Sequence, residues 1–100
     1  MTSRTVPCDH ATAAGRLKKA EQFLDAAEII RELADDEEDV GDAYVTLCVH
    51  AGIAAADAIC CLALREHARG ESHHEAVQLI GRVRPGGEEL AKTLSALLDV

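Results

Sequence analysis

The stretch AYVTLCVHAGIAAADAICCLAL, residues 43–64, decides the fold of this chain. Asp57 is the one charged residue among its 22 positions. As a helix the stretch is about 33 Å long, which is enough to cross a bilayer. An aspartate inside a membrane span costs roughly 2.5–3.5 kcal/mol, however, and the apolar residues are mainly Ala and Cys. We therefore expect the central buried helix of a helix bundle and no membrane partner.

The composition of the whole chain agrees with an all-α fold. Its 100 residues allow one domain, 48% of them are hydrophobic, and there are only one Phe, one Tyr and two Pro. A β-sandwich would need more β-branched and aromatic residues. The net charge of −8 disfavours a domain that depends on phosphate contacts, so no DNA partner is expected.

An amphipathic pattern precedes the central stretch. Apolar residues recur at steps of three and four from about residue 12 to residue 33, which predicts a first helix. Residues 35–42 contain six acidic side chains and are interpreted as a loop, with Asp42 as the N-cap of the second helix. A calcium loop is the alternative, but the run lacks the spaced ligands of an EF-hand. Residues 1–11 show no periodicity and are expected to be a flexible N-terminus, with 12–100 forming the domain.

Two shorter helices are predicted after the central one, which is expected to run from about residue 43 to residue 68. Ser72 and Glu75 form an S-x-x-E capping box at the start of the third helix. Pro85-Gly86-Gly87 ends that helix, and a fourth helix begins at about Glu88. The prediction is an antiparallel four-helix bundle whose first two helices form a long hairpin.

The four cysteines are interpreted as reduced. No apolar signal segment precedes Cys8, and Cys48, Cys60 and Cys61 lie in the central stretch without C-x-x-C spacing. Cysteines in an Ala-rich helix act mainly as small apolar core residues. The chain is therefore expected to be cytoplasmic.

Polar residues of the central helix form the first candidate site. His50, Asp57 and Cys61, with His67 near the helix end, are spaced so that they lie roughly on one face. The favoured interpretation is a buried Asp57 and His50, each hydrogen-bonded to a neighbouring helix. A ligand site that includes His50, Asp57, Arg65 and His67 is the alternative. Because metal binding needs three or four converging ligands, no metal or other cofactor is expected.

The second candidate site spans residues 65–74 and is rich in Arg and His. Histidine is the natural acid or base near neutral pH, and arginine binds phosphate through a bidentate fork. The capping box places His73 and His74 at a helix N-terminus, which favours anions. Arg69 followed by these histidines could bind and cleave a phosphodiester, and a polar turn between helices is the alternative.

Three stretches resemble HEPN-domain proteins, which are small helical bundles of prokaryotic defence and toxin systems. KAEQFLDAA, residues 19–27, resembles their first helix. AGIAAADAICC, residues 51–61, and RGESHHEA, residues 69–76, are similar to an actinobacterial branch of the family. The resemblance covers roughly residues 16–98. It implies a four- or five-helix bundle that dimerises, and the usual fifth helix, which would follow residue 98, is expected to be missing here.

The resemblance also implies a site. Many members are metal-independent ribonucleases with an R-x(4–6)-H motif completed across the dimer, and Arg69 with His74 fits R-x4-H. The arginine would bind the phosphate, and the histidine would assist attack by the RNA 2′-OH or protonate the leaving oxygen.

This motif is degenerate, because Gly70 and Ser72 interrupt it and His73 is an alternative histidine at R-x3-H. The degenerate motif and the acidic charge favour a homodimeric binding module for a protein partner or a nucleotide-like ligand. A ribonuclease that cleaves RNA with Arg69 and His73 or His74 is the alternative function.

Overall fold

The computed structural model describes residues 5–34, 37–70 and 73–99, with the side chains of 37–39 left aside. Within these residues the chain is mostly helical, which confirms the expected class in coarse terms, and a short two-stranded sheet accompanies the helices. In chain order the elements are β1 (Thr5–Pro7), α1 (His10–Leu33), α2 (Glu37–Leu64), β2 (Glu66–Ala68), α3 (His73–Ile80) and α4 (Gly87–Leu98).

α1 and α2 form a long antiparallel hairpin with alanines at the contact. Asp9 caps α1, because its Oδ1 accepts a hydrogen bond from the backbone N–H of Thr12 at 2.9 Å. The buried residues of α1 are Ala13, Ala20 and Ala27, spaced seven apart. Since alanine carries only a methyl group, this spacing places one narrow seam of small side chains against α2.

Most of the acidic run is helical, so the predicted loop is wrong for its larger part. α2 begins at Glu37, and Asp42 lies inside the helix instead of capping it. Helix propagation adds one backbone hydrogen bond for each residue fixed, and acidic residues in the first turn complement the positive end of the helix dipole. These two terms outweigh the repulsion between like charges that the loop prediction relied on.

α2 ends four residues earlier than predicted because the backbone turns at Arg65, whose φ is +63°. The next three residues form β2, which runs antiparallel to β1 with Val6 opposite His67. Residues 5–11, which were expected to be flexible, thus belong to β1, the turn after it and the start of α1.

A disulfide joins Cys8 to Cys61 of α2, with their Cα atoms 5.5 Å apart. The backbone N–H of Cys8 also donates a hydrogen bond to the carbonyl oxygen of Arg65 at 3.0 Å. The expectation that all four cysteines are reduced is therefore wrong for this pair, because a partner 53 residues away leaves no local signal in the sequence. Among the described residues, Cys48 and Cys60 are free.

The short helices α3 and α4 cover only the C-terminal half of α2. The core cluster joins Ala56 and Cys60 of α2 to Leu79 and Ile80 of α3 and Leu94 of α4. The buried positions of α2 all lie between residues 54 and 61, and no residue from 40 to 51 is buried. The expectation of a central buried helix thus holds for the half of α2 that α3 and α4 cover.

The N-terminal half of α2 extends past the rest of the fold as one arm of the hairpin. The molecule measures 48 × 27 × 26 Å. A helix of 28 residues is about 42 Å long, so the whole of α2 accounts for most of the longest dimension. Within the described residues, Val40–Leu64 is long and apolar enough to cross a membrane by length and composition alone. Core helices pass the same test, so this finding is weak evidence for a membrane span.

Gly87 provides a test of how α4 packs on α3. A Cβ at this position would lie 2.5 Å from the carbonyl oxygen of Ile80 and 3.1 Å from that of Gly81. Because both atoms belong to the backbone, the connection between the helices must shift to admit a methyl group. We expect Gly87→Ala to lower the free energy of unfolding by about 1–3 kcal/mol, measured by urea denaturation.

Gly15→Ala in α1 is the matched control, since a Cβ there would have no atom within 4 Å. The higher helix propensity of alanine should raise the free energy of unfolding by about 0.5–1 kcal/mol. A Gly87→Ala variant that gained stability as Gly15→Ala does would contradict the close approach of α3 and α4.

Candidate functional site

Asp57 and His67 are the buried polar side chains of the described residues, each 8% exposed. Oδ2 of Asp57 lies 4.0 Å from Nε of Arg16 on α1. Nδ1 of His67 donates a hydrogen bond to the backbone carbonyl oxygen of Ala68 at 2.7 Å. The three charged or polar groups come from α1, α2 and β2, so the cluster forms where the hairpin meets the small sheet.

Burial governs the electrostatics of this cluster. It raises the pKa of the Asp57 carboxyl above its ordinary value, while the positive charges of His67 and Arg16 act in the opposite direction. The prediction that Asp57 is buried is confirmed, and the charged partner is Arg16. We therefore interpret Asp57, Arg16 and His67 as a structural cluster, located where the hairpin meets the small sheet.

Cys60 is unsuited to nucleophilic chemistry. Burial, with the negative charges of Asp57 and Glu66, raises the pKa of its thiol to about 11. Because the thiolate is the reactive form of cysteine, a thiol that stays protonated at neutral pH serves packing.

The remaining candidates of the first site do not converge with Asp57 and His67. The prediction of a buried His50 is wrong: the side chain is exposed and its ring stacks on Phe23, with ring centroids 5.2 Å apart. Arg65 is exposed at the end of α2. Among the residues that the structure describes, no group of three or more His, Cys, Asp or Glu side chains could hold a metal ion.

The candidates of the second site lie at the surface around the start of α3. Arg69, His73 and His74 are all exposed, and α3 begins at His73, so Arg69 precedes the helix. Residues 71 and 72 lie outside the described part of the chain, and with them Ser72 of the predicted capping box.

One side of the hairpin is apolar and uncovered, and its location was not predicted from the sequence. Leu17 and Leu24, seven residues apart on α1, are 50% and 47% exposed. A groove of about 490 Å³ separates Leu17 from Leu62 of α2, and its floor consists of alanines and Ile59. We define the open side by these residues: Leu17, Leu24 and Arg31 of α1 with Tyr44, Cys48, Ala51, Ala55, Ile59 and Leu62 of α2.

Comparisons of the chain with protein-family models, with curated proteins and with solved structures found no match. The resemblance to HEPN-domain proteins stays a prediction from residues 19–27, 51–61 and 69–76.

The raised pKa of Asp57 makes a specific pH dependence testable. The folded chain holds a proton at this carboxyl more tightly than the unfolded chain does. The stabilising contribution of Asp57 is thus full below its unfolded pKa, near 4, and is lost as the pH rises through the folded pKa. Asp57→Asn cannot ionise, so we expect it to gain stability relative to the wild type as the pH rises above about 4. Urea denaturation at each pH measures the difference.

Asp9→Asn is the control with the opposite sign. Hydrogen bonds from the backbone and hydroxyl of Thr12 lower the pKa of Asp9, so its contribution is present above its unfolded pKa and is lost as the pH falls through its folded pKa. We expect this variant to be less stable than the wild type at pH 7 and to approach it in acid. The same pH trend in both variants would contradict the assignment of Asp57 as buried.

Proposed function

We propose that this chain is a HEPN-like helical module that acts as a homodimer and works by binding, not by catalysis. The observation that supports the proposal is the open side, where large apolar side chains remain exposed along the hairpin. Contiguous apolar patches of this kind mark interaction sites on proteins that are surrounded by water.

The extent of exposed surface supports a partner of considerable size. The chain has an accessible surface of 6713 Å², whereas a compact monomer of 10.6 kDa exposes about 5,500 Å². The radius of gyration, 14.3 Å, likewise exceeds the value of about 13 Å for a compact chain of this length.

The position of the apolar surface favours a protein over a small ligand. Two grooves lie at opposite ends of the hairpin, one between Leu17 and Leu62 and one of about 380 Å³ between Arg31 and Tyr44. A nucleotide-like ligand would fill one of them, whereas only an elongated partner would cover both and the exposed Leu24 between them.

The proposal includes a further protein or nucleotide-like partner, which rests on the sequence. The cytoplasmic location was predicted from the sequence on the basis of reduced cysteines. The Cys8–Cys61 disulfide counts against the cytoplasm, because reducing compartments keep thiols reduced.

Leu24→Glu tests the binding proposal. The variant would bury an unpaired carboxylate in the proposed interface, so we expect the dissociation constant of the dimer to rise at least about 100-fold. Sedimentation equilibrium of the wild type and the variant measures the change, and circular dichroism verifies that the variant remains helical.

Ile29→Glu is the matched control. Ile29 is 54% exposed, close to the 47% of Leu24, but it lies about 140° further around α1. We expect this variant to remain dimeric. A wild-type chain that is monomeric at every concentration, or an Ile29→Glu variant that dissociates as Leu24→Glu does, would contradict the proposal.

Ribonuclease activity is the alternative that the same resemblance implies, and the exposure of Arg69, His73 and His74 leaves them accessible to a polymer. Labelled RNA incubated in EDTA with the wild type should stay intact if the module works by binding alone. Cleavage by the wild type that is lost in Arg69→Ala and in the His73→Ala/His74→Ala variant would overturn the proposal and establish a metal-independent ribonuclease.

A further inference from the structure

The residues of the open side, together with the buried alanines next to them, carry the spacing of a helix-bundle core. Steps of four and three residues alternate on both helices, which is the pattern of positions that face a core between packed helices. The α1 row is Ala13, Leu17, Ala20, Leu24, Ala27 and Arg31, and the α2 row is Tyr44, Cys48, Ala51, Ala55, Ala58 and Leu62.

Each residue of the α1 row lies beside one residue of the α2 row, and we call each such pair a layer. The residues that line the two grooves show which residues are paired. Leu17 and Ala58 line one groove, and Arg31 and Tyr44 line the other. Because both rows advance by the same steps in opposite directions, Leu24 falls beside Ala51 midway along the hairpin. The layer between the two leucine layers consists of Ala20 and Ala55, which are both small.

We infer that the partner on the open side is a second copy of this chain, packed antiparallel with its hairpin against the first. The twofold axis passes through the Ala20–Ala55 layer. This inference rests on the proposed function, which it deepens by assigning the orientation and the register of the dimer.

The arrangement of large and small residues supports this axis. The Leu17–Ala58 layer lies on one side of the axis, and the Leu24–Ala51 layer lies on the other. The twofold rotation packs the Leu17–Ala58 layer of one copy against the Leu24–Ala51 layer of the other copy. Every such layer then contains two leucines and two alanines, the alternation of sizes with which a core fills without voids.

The alanine layer at the axis lets the two hairpins approach each other most closely where they cross. Ala20 is already buried against α2, and Ala55 lines both the groove beside α1 and the groove beside α4, as Ile59 also does. A second copy would cover both grooves together.

Charge decides the relative direction of the two copies. Residues 35–42, six of which are acidic, link α1 to α2 along the chain and include the start of α2. In a parallel pair the two acidic segments would lie side by side. In the antiparallel pair they are separated by roughly the length of α1, about 36 Å, which is several Debye lengths at physiological salt.

Two introduced thiols test the orientation and the register. In the antiparallel pair Ala55 lies next to its own copy, so Ala55→Cys should form a disulfide-linked dimer under mild oxidation. Leu62 and Cys48 are both seven residues from Ala55, on opposite sides of it. Leu62→Cys should therefore link to Cys48 of the second copy, which mass spectrometry of the linked peptides identifies, and the link should disappear in Leu62→Cys/Cys48→Ala.

The chain supplies its own controls. The two copies of Cys48 would be about 21 Å apart along the bundle, too far to bond, so the wild type should form no covalent dimer. Ile29→Cys, on the far side of α1, should form none either.

The possible outcomes separate the orientation from dimerisation itself. A wild-type chain that is monomeric by sedimentation would refute the proposed function and this inference together. A dimeric chain in which the thiol of Leu62→Cys links to its own copy would be parallel, and one in which neither variant links would use another surface. Either result overturns the antiparallel arrangement and leaves dimerisation standing.

Discussion

The close contact between α1 and α2 through alanine is the constraint on which the rest of the structure depends. Ala13, Ala20 and Ala27 place only methyl groups between the two helices. Small side chains allow the helices to approach, but each buries far less apolar surface than a leucine would. The larger residues Leu17 and Leu24 consequently lie beside the contact and remain half exposed. The hairpin thus leaves apolar surface available to a partner.

The rest of the fold adds stabilising contacts to the hairpin at one end only. Three features stabilise the end of the hairpin that lies away from the link between α1 and α2. They are the Cys8–Cys61 disulfide, the β1–β2 pair and the core between α2, α3 and α4. In the chain-entropy model, a cross-link that closes a loop of 53 residues raises the free energy of the unfolded chain by about 4 kcal/mol. In the far end, residues 22–33 with 40–51, Ala27 is the one fully buried residue, so this is the part that a second copy would stabilise most.

Periodicity predicted the helices because their apolar residues recur locally, and it failed where the deciding contact is distant in sequence. The pairing of Val6 with His67, and of Cys8 with Cys61, leaves no trace in either segment alone. The isolated charge of Asp57 indicated a buried carboxyl with a partner, but the sequence pattern did not predict that the partner is Arg16. The open side could not be predicted for a different reason. The sequence contains the two rows of small and large residues, but the side that α3 and α4 leave uncovered depends on the assembled fold.

Thermal unfolding at two protein concentrations about 100-fold apart tests the central claim that the hairpin needs a second copy. A dimer that unfolds to two chains gains about 2.7 kcal/mol from such an increase in concentration, because mass action favours the associated state. We expect Tm, followed by circular dichroism under non-reducing conditions, to rise by about 5–10 °C between the two samples. An identical Tm at both concentrations would show that the chain folds alone and would contradict the account.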